Sequence, residues 1–230
     1  MNLKEKKAIV SGSSKGIGAE TVKLLISKGC KVVGWSRTGS GFTNENYREF
    51  NLDISDEEAV DAAYKKSLDF LGGIDIVINN AGFGHFAKTD ECNSDTWRKM
   101  FDVNVNGLFY LTKRALKDMK KAQHGHFINV SSIAGTTGIE QAAGYCGTKH
   151  AVRGISHSLY KEVKKDNIKV TCVYPGSVNT HFFDEVEGTK ANDTMLHADD
   201  VAKLFIQLLE SPDNFNTLDV EIRPMNPVYS

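Results

Sequence analysis

The sequence predicts a single α/β domain, a doubly wound parallel sheet of about seven strands with helices on both faces. Three observations carry this expectation. Short apolar runs of strand length alternate with helix-length segments along the chain. A glycine-rich turn, GSSKGIG at Gly12 to Gly18, stands between the first strand and the first helix. The apolar run at 74–78 ends in Asn79, Asn80, Ala81 and Gly82, small groups at the carboxyl end of a central strand, where sheets of this kind hold ligands.

Each element has its own signal. KKAIVS at 6–11 reads as a short buried strand. AETVKLLISKG reads as a helix with apolar Val22, Leu24, Leu25 and Ile26, closed by Gly29, and KVVGWS at 31–36 as the second strand. Strand, glycine turn, helix, strand is the first half of a dinucleotide-binding, Rossmann-type fold. A third strand is centred on Tyr47 to Leu52 within a polar, poorly patterned stretch. Ser55 with Glu58 three places on predicts a capping box for a helix to about Phe70.

Asp95 to about Lys121 reads as a long helical region that sets Asn104 among apolar residues. A buried amide needs partners or costs about 1–3 kcal/mol. Asn104 therefore either caps a local irregularity or belongs to a polar site. Gly107 allows close packing, another subunit included. Gly125 to Ser131 is the fifth strand, Tyr145 to about Lys165 the next helix, and Ile168 to Tyr174 the sixth strand, ended by a turn at Pro175 and Gly176. Residues 181–198 have little periodicity and are expected to form a flap over substrate. A helix beginning at Ala198 or Asp199 and a seventh strand at Thr217 to Arg223 complete the domain, which spans 1–230 without repeat or linker.

Composition excludes several classes. The 28 basic and 29 acidic residues nearly cancel, so no bulk charge favours nucleic acid or an anionic membrane. Cys30, Cys92, Cys146 and Cys172 are far apart and form no metal-like pair, which fits a reducing compartment. No apolar run approaches a membrane span, and MNLKEKKAIV has no signal-peptide core. The expected location is cytoplasmic.

Two stretches carry chemistry. In the glycine turn, Gly12 makes the tight turn, Gly16 lets a pyrophosphate approach the helix N-terminus, and Gly18 lets the helix pack on the sheet. An ordinary loop is the alternative. The second strand ends in Ser36, Arg37 and Thr38, with no acid for the adenosine ribose hydroxyls. Arg37 and Lys15 suit a ribose 2′-phosphate instead, or are solvated surface cations. The second stretch is SIAGTTGIEQAAGYCGTK, Ser132 to Lys149. Tyr145 and Lys149 lie one helical turn apart on one face. An ammonium roughly 4 Å from a phenol, at an effective dielectric of about 20, favours the phenolate by ~4 kcal/mol. That makes Tyr145 a usable proton donor and acceptor. Taken alone, YxxxK is more often an amphipathic helix that happens to carry both residues.

Together, GSSKGIG at 12–18, Asp53, NNAG at 79–82, Asn104 in FDVNVNG, Ser132 in NVSS, YCGTK at 145–149 and PGSVNT at 175–180 resemble the short-chain dehydrogenase/reductase family over nearly the whole chain. The resemblance implies Tyr145 as the acid in carbonyl reduction, Ser132 orienting the substrate oxygen, and Ser131 supporting the strand. It implies Lys149 on the nicotinamide ribose, lowering the phenol pKa, and Asn104 in a proton relay to solvent. Implied cofactor contacts are Gly12, Ser14, Lys15, Gly16, Ile17, Gly18, Arg37, Asp53 at the adenine, Asn80, Ala81, Gly82, Tyr145, Lys149, Pro175, Gly176, Val178, and Thr180 at the carboxamide.

With no acid at Ser36, the chain resembles members that prefer NADP(H). Its ending, VEIRPMNP, is similar to compact carbonyl reductases of the benzil or sepiapterin type. Candidate pocket residues are Phe83, His85, Phe86, Ile133, Ile139, Phe182 and Phe183; no metal is implied, and His181 lacks companions for one. The expected function is reduction of a small ketone, diketone or aromatic carbonyl. Oxidation of a small 3-hydroxy acid or alcohol, and a silent cofactor sensor, are the alternatives. The family implies a homodimer or homotetramer.

Overall fold

The computed structural model describes residues 1–180, 182 and 191–228. Its strands, in chain order, are β1 (Lys7–Ser11), β2 (Lys31–Ser36), β3 (Tyr47–Asn51), β4 (Ile76–Asn79), β5 (Gly125–Val130), β6 (Ile168–Pro175), β7 (Val178–Asn179), β8 (Leu196–His197) and β9 (Asp219–Ile222). Seven of them form one parallel sheet, as the apolar runs and their spacing predict, and its order is β3-β2-β1-β4-β5-β6-β9. β7 and β8 pair separately beside it. The chain winds outward from β1 in one direction through β2 and β3, then returns to start β4 on the other side. That reversal opens a crevice above the carboxyl ends of β1 and β4.

Each face buries its own layer. Helices α1 (Gly16–Ser27) and α6 (Ala198–Leu209) cover one face, where Val22, Leu25, Val201 and Phe205 meet Ala8, Val10, Val32, Ile76 and Ile78. On the other, α2 (Glu57–Leu71), α4 (Leu108–Ala122) and α5 (Ala143–Val163) set Val60, Leu111, Met119 and Leu159 against Ile9, Val33, Trp35, Val77 and Phe127. Alternate residues of β1, β2 and β4 thus serve opposite layers, which is why these strands read as unbroken apolar runs.

Three local expectations change. Helix α2 is capped by Asp56, whose carboxylate accepts from the Glu58 and Ala59 N–H groups; Ser55 instead donates to Asp53. Asp and Ser are equally good caps, and the backbone turns one residue later than the capping-box spacing implies. The long helix is also divided. α3 (Ser94–Phe101) runs into a π-helical turn at Asp102–Gly107 before α4 begins. Gly107 meets its own chain: a Cβ there would lie 2.8 Å from Ile54 Cγ2. Of the expected flap at 181–198, residues 181 and 183–190, His181 and Phe183 among them, lie outside the described residues; in its remainder Leu196–His197 is strand β8 and Ala198 starts α6.

Candidate active site

The glycine turn is built around the end of β4. Gly12 and Gly16 have φ of +68° and +58°, conformations that L side chains resist. A Cβ on Gly18 would stand 2.0 Å from the Gly12 carbonyl oxygen, so α1 sits directly on the turn. Asn80 Nδ2 donates to the carbonyls of Ser11 and Gly12, while the Asn80 and Ala81 N–H groups donate to Ser11 Oγ. Sequence reasoning missed Ser11; its signal is a hydroxyl at the last position of an apolar strand.

The N-terminus of α1 has no side-chain cap and no acid in its first turn. Its free N–H groups and the positive end of its dipole therefore face the crevice. Lys15 and Arg37 are exposed at the same edge, and Asp53 is held to Ser55. Ser14 and Ile17 are half-buried in the turn. Across the crevice, Pro175 ends β6, the Gly176 N–H bonds the Ile222 carbonyl, and Val178 is buried in β7. The Thr180 methyl comes within 3.3 Å of where a Gly16 Cβ would stand. A glycine cradle, an uncapped helix and two cations fit a phosphorylated dinucleotide. Among the described residues, no group of three His, Cys, Asp or Glu could hold a metal.

Tyr145 and Lys149 occupy one face of α5 and are 7% and 6% exposed. Ser132 follows β5, and its Oγ accepts from the Ala134 N–H. Ser131 Oγ donates to the Lys149 carbonyl and fastens α5 to the strand end. Lys149 Nζ donates to the Val130 carbonyl at 2.9 Å and stands 5.7 Å from the Tyr145 ring centroid. Burial pushes Tyr145 up to about 12, against the lowering effect of its hydrogen bond with Ser132, and pulls Lys149 down to about 8. The ammonium is aimed at a carbonyl rather than the phenol, so desolvation wins.

Asn104 resolves the choice between irregularity and polar site by serving both. The π turn inserts an extra residue, and the 2% exposed amide there accepts from the Phe83 N–H and donates to the Phe83 carbonyl and Thr148 Oγ1. The Thr148 hydroxyl in turn donates to the Tyr145 carbonyl. Thr148 was legible only as a hydroxyl inside YCGTK. Gly82 lies between these groups: a Cβ there would be 3.0 Å from Asn104 Oδ1 and 3.6 Å from Lys149 Nζ.

Tyr145 packs with Met100, Ala134, Ala142 and Cys146, and Phe83, Phe86 and Phe182 line this cluster. The rings of Phe86 and Phe182 lie 5.9 and 5.5 Å from that of Tyr145. A Cβ on Gly84 would meet Phe182 Cζ at 2.7 Å, so the ring occupies the space that glycine leaves. His85 and Ile133 are half-buried near this cluster in sequence, whereas Ile139 is 38% exposed and outside it.

The profile of the short chain dehydrogenase family matches residues 6–191. An uncharacterized oxidoreductase of Staphylococcus aureus is 33% identical over 230 residues, covering 97% of this chain and 99% of that protein; one from Staphylococcus epidermidis matches equally. Among solved structures, the closed form of serine dehydrogenase complexed with NADP+ aligns with a TM-score of 0.89 at 27% identity, covering 97% of this chain and 96% of the other. An alcohol dehydrogenase from the archaeon Thermococcus sibiricus, complexed with 5-hydroxy-NADP, gives 0.87 at 25% identity, covering 97% and 99%.

Proposed function

This chain belongs to the short chain dehydrogenase family, and on that premise we propose that it reduces a small ketone, diketone or aromatic carbonyl with Tyr145 as the proton donor. It is an NADP(H)-dependent oxidoreductase of small organic molecules. The observation that carries the finer reading is the surroundings of Tyr145. One phenol is flanked by two phenylalanine rings and stands one helical turn from a buried lysine, with Ser132 just past the end of the adjoining strand.

The glycine turn and the α1 N-terminus would hold the pyrophosphate, Lys15 and Arg37 the 2′-phosphate, Asp53 the adenine, and Thr180 the carboxamide. Ile17, Asn80, Ala81, Gly82, Pro175, Gly176 and Val178 would line the remainder. The cofactor supplies the hydride from C4 of its nicotinamide to the carbonyl carbon when bound. Ser132 and Tyr145 each direct an O–H at the carbonyl oxygen, which polarises it and fixes its position. The Tyr145 proton then passes to that oxygen as the alcohol forms. Below about pH 8 Lys149 keeps its proton, and its positive charge offsets the negative charge that develops on Tyr145 as the phenol proton leaves. Asn104, held to Phe83 and Thr148, would pass the replacement proton from solvent, through a water and Lys149, back to Tyr145.

One observation favours a second reading. Lys99 Nζ lies 5.9 Å from the Phe83 ring centroid, a cation beside the aromatic cluster that would suit a carboxylate-bearing 3-hydroxy acid. Both readings are tested by following NADPH oxidation across diketones, quinones, aromatic carbonyls and small keto acids, with NADH in parallel. Turnover should concentrate on apolar carbonyls, and Tyr145→Phe should lose at least a hundredfold in kcat with NADPH binding retained. Turnover confined to keto acids would favour the second reading. Undiminished turnover by Tyr145→Phe would remove that residue from the acid role.

A further inference from the structure

We propose that Glu49 is a specificity-determining residue: it fastens the β2–β3 connection that carries Arg37, and so sets the preference for the 2′-phosphorylated cofactor. This rests on the NADP(H) reading. The end of β2 carries no acid, yet the β2–β3 register places Glu49 opposite Gly34, one strand further out. Both of its carboxylate oxygens are engaged. Oε1 accepts from Ser36 Oγ at 3.3 Å and the Tyr47 hydroxyl at 3.4 Å; Oε2 accepts from the Ser40 N–H at 2.8 Å and Ser40 Oγ at 3.1 Å.

Ser36 and Ser40 lie on either side of Arg37, Thr38 and Gly39, all three exposed. One side chain therefore closes both ends of the loop that bears the phosphate-facing cation. Ser36 Oγ also reaches the Thr38 carbonyl, and Ser40 Oγ accepts from the Phe42 N–H, which extends the clasp along the connection. Beneath it, a Cβ on Gly34 would stand 2.2 Å from the Tyr47 hydroxyl and 2.5 Å from Ser13 Oγ. The missing side chain lets a residue of the glycine turn and the Glu49 cluster share one space. The turn and the Arg37 loop are thereby set relative to each other, as recognition of a diphosphate and a 2′-phosphate on one molecule requires.

A carboxylate near a phosphate invites the opposite role, repelling the 2′-phosphate or accepting from a ribose hydroxyl. The hydrogen bonds argue against it, because the Tyr47 hydroxyl and the Ser40 N–H and hydroxyl already face the two oxygens, with the single Ser36 proton shared between Glu49 and the Thr38 carbonyl. The two roles also predict opposite signs. Equilibrium binding of NADPH and NADH, read by cofactor fluorescence, would be compared for wild type, Glu49→Gln, Glu49→Ala and Arg37→Ala.

Freeing the loop should weaken NADPH by roughly tenfold in Glu49→Ala, with NADH altered by less than about twofold and Glu49→Gln lying between. Arg37→Ala should show the same selective loss. The retained NADH affinity reports that each variant is folded. Tighter NADPH binding by Glu49→Gln would overturn the proposal by making the residue a repelling acid, and equal losses for both cofactors would overturn it by making the contact general support. Wild-type protein that shows no preference for NADPH would instead overturn the cofactor reading, before any variant is compared.

Discussion

At Lys149, function and stability pull against each other. Among the described residues its buried ammonium has one hydrogen bond, to the Val130 carbonyl, and burial lowers its pKa to about 8. In the unfolded chain the same group titrates near its ordinary value of about 10.4. From about pH 8 to 10.4 the unfolded state binds more protons, so this residue makes the protein more stable as pH rises through that window. Below it, the full cost of the buried charge is present. Lys149→Met should therefore abolish turnover yet stabilise the fold at pH 7 by about 2 kcal/mol, after about 1 kcal/mol for the lost Val130 bond. Thermal melts should show that advantage shrinking between pH 8 and 10; a variant less stable than wild type at pH 7 would contradict this account. The pairing of Tyr145 with Lys149 was legible because helical spacing fixes it. The depth of both groups was not, since burial depends on Phe86, Phe182 and β5, which are distant in sequence.

Elements were legible where one periodicity dominates and illegible where two local solutions compete. The apolar pattern from Asp95 onward continues across the π turn without a break, because inserting one residue in a helix shifts a face without erasing it. Only the buried Asn104 hinted at the irregularity. The start of α2 offered two good caps, Ser55 and Asp56, and a local turn in which Asp53 accepts from the Ser55 N–H and hydroxyl draws Ser55 away. Their substitutions separate cleanly. Asp56→Ala should cost about 1 kcal/mol in urea unfolding, because two N–H groups lose their acceptor. Ser55→Ala should cost less than half of that, and the reverse order would restore the capping box as the true start.

Across the whole molecule, the doubly wound parallel sheet of about seven strands was legible from the apolar runs and the glycine turn, while the order of its strands comes from the structure. What escaped is how its amino edge is tied, since that joins residues with no shared motif. Asp75, just before β4, accepts from the Lys7 N–H at 2.8 Å and Lys6 Nζ at 3.3 Å, and pairs with His124 ahead of β5. Burial alone would raise its pKa; the bonds with His124 and Lys7 and the charge of Lys6 outweigh that and hold it below the usual aspartate value. A depressed folded pKa means stability fully present above about pH 4 and lost as pH falls through the lower folded value. Asp75→Asn should therefore destabilise by roughly 1–3 kcal/mol at pH 7, with the difference from wild type vanishing in strong acid. The tie sits at the amino ends of the strands and the candidate site at their carboxyl ends, roughly 13 Å away along a four-residue strand. Turnover at temperatures where the variant remains folded should be unchanged, because the sheet separates the contacts that hold its amino edge from those that position Tyr145. A fall in kcat matching the loss in stability would show instead that the sheet transmits strain from one end to the other.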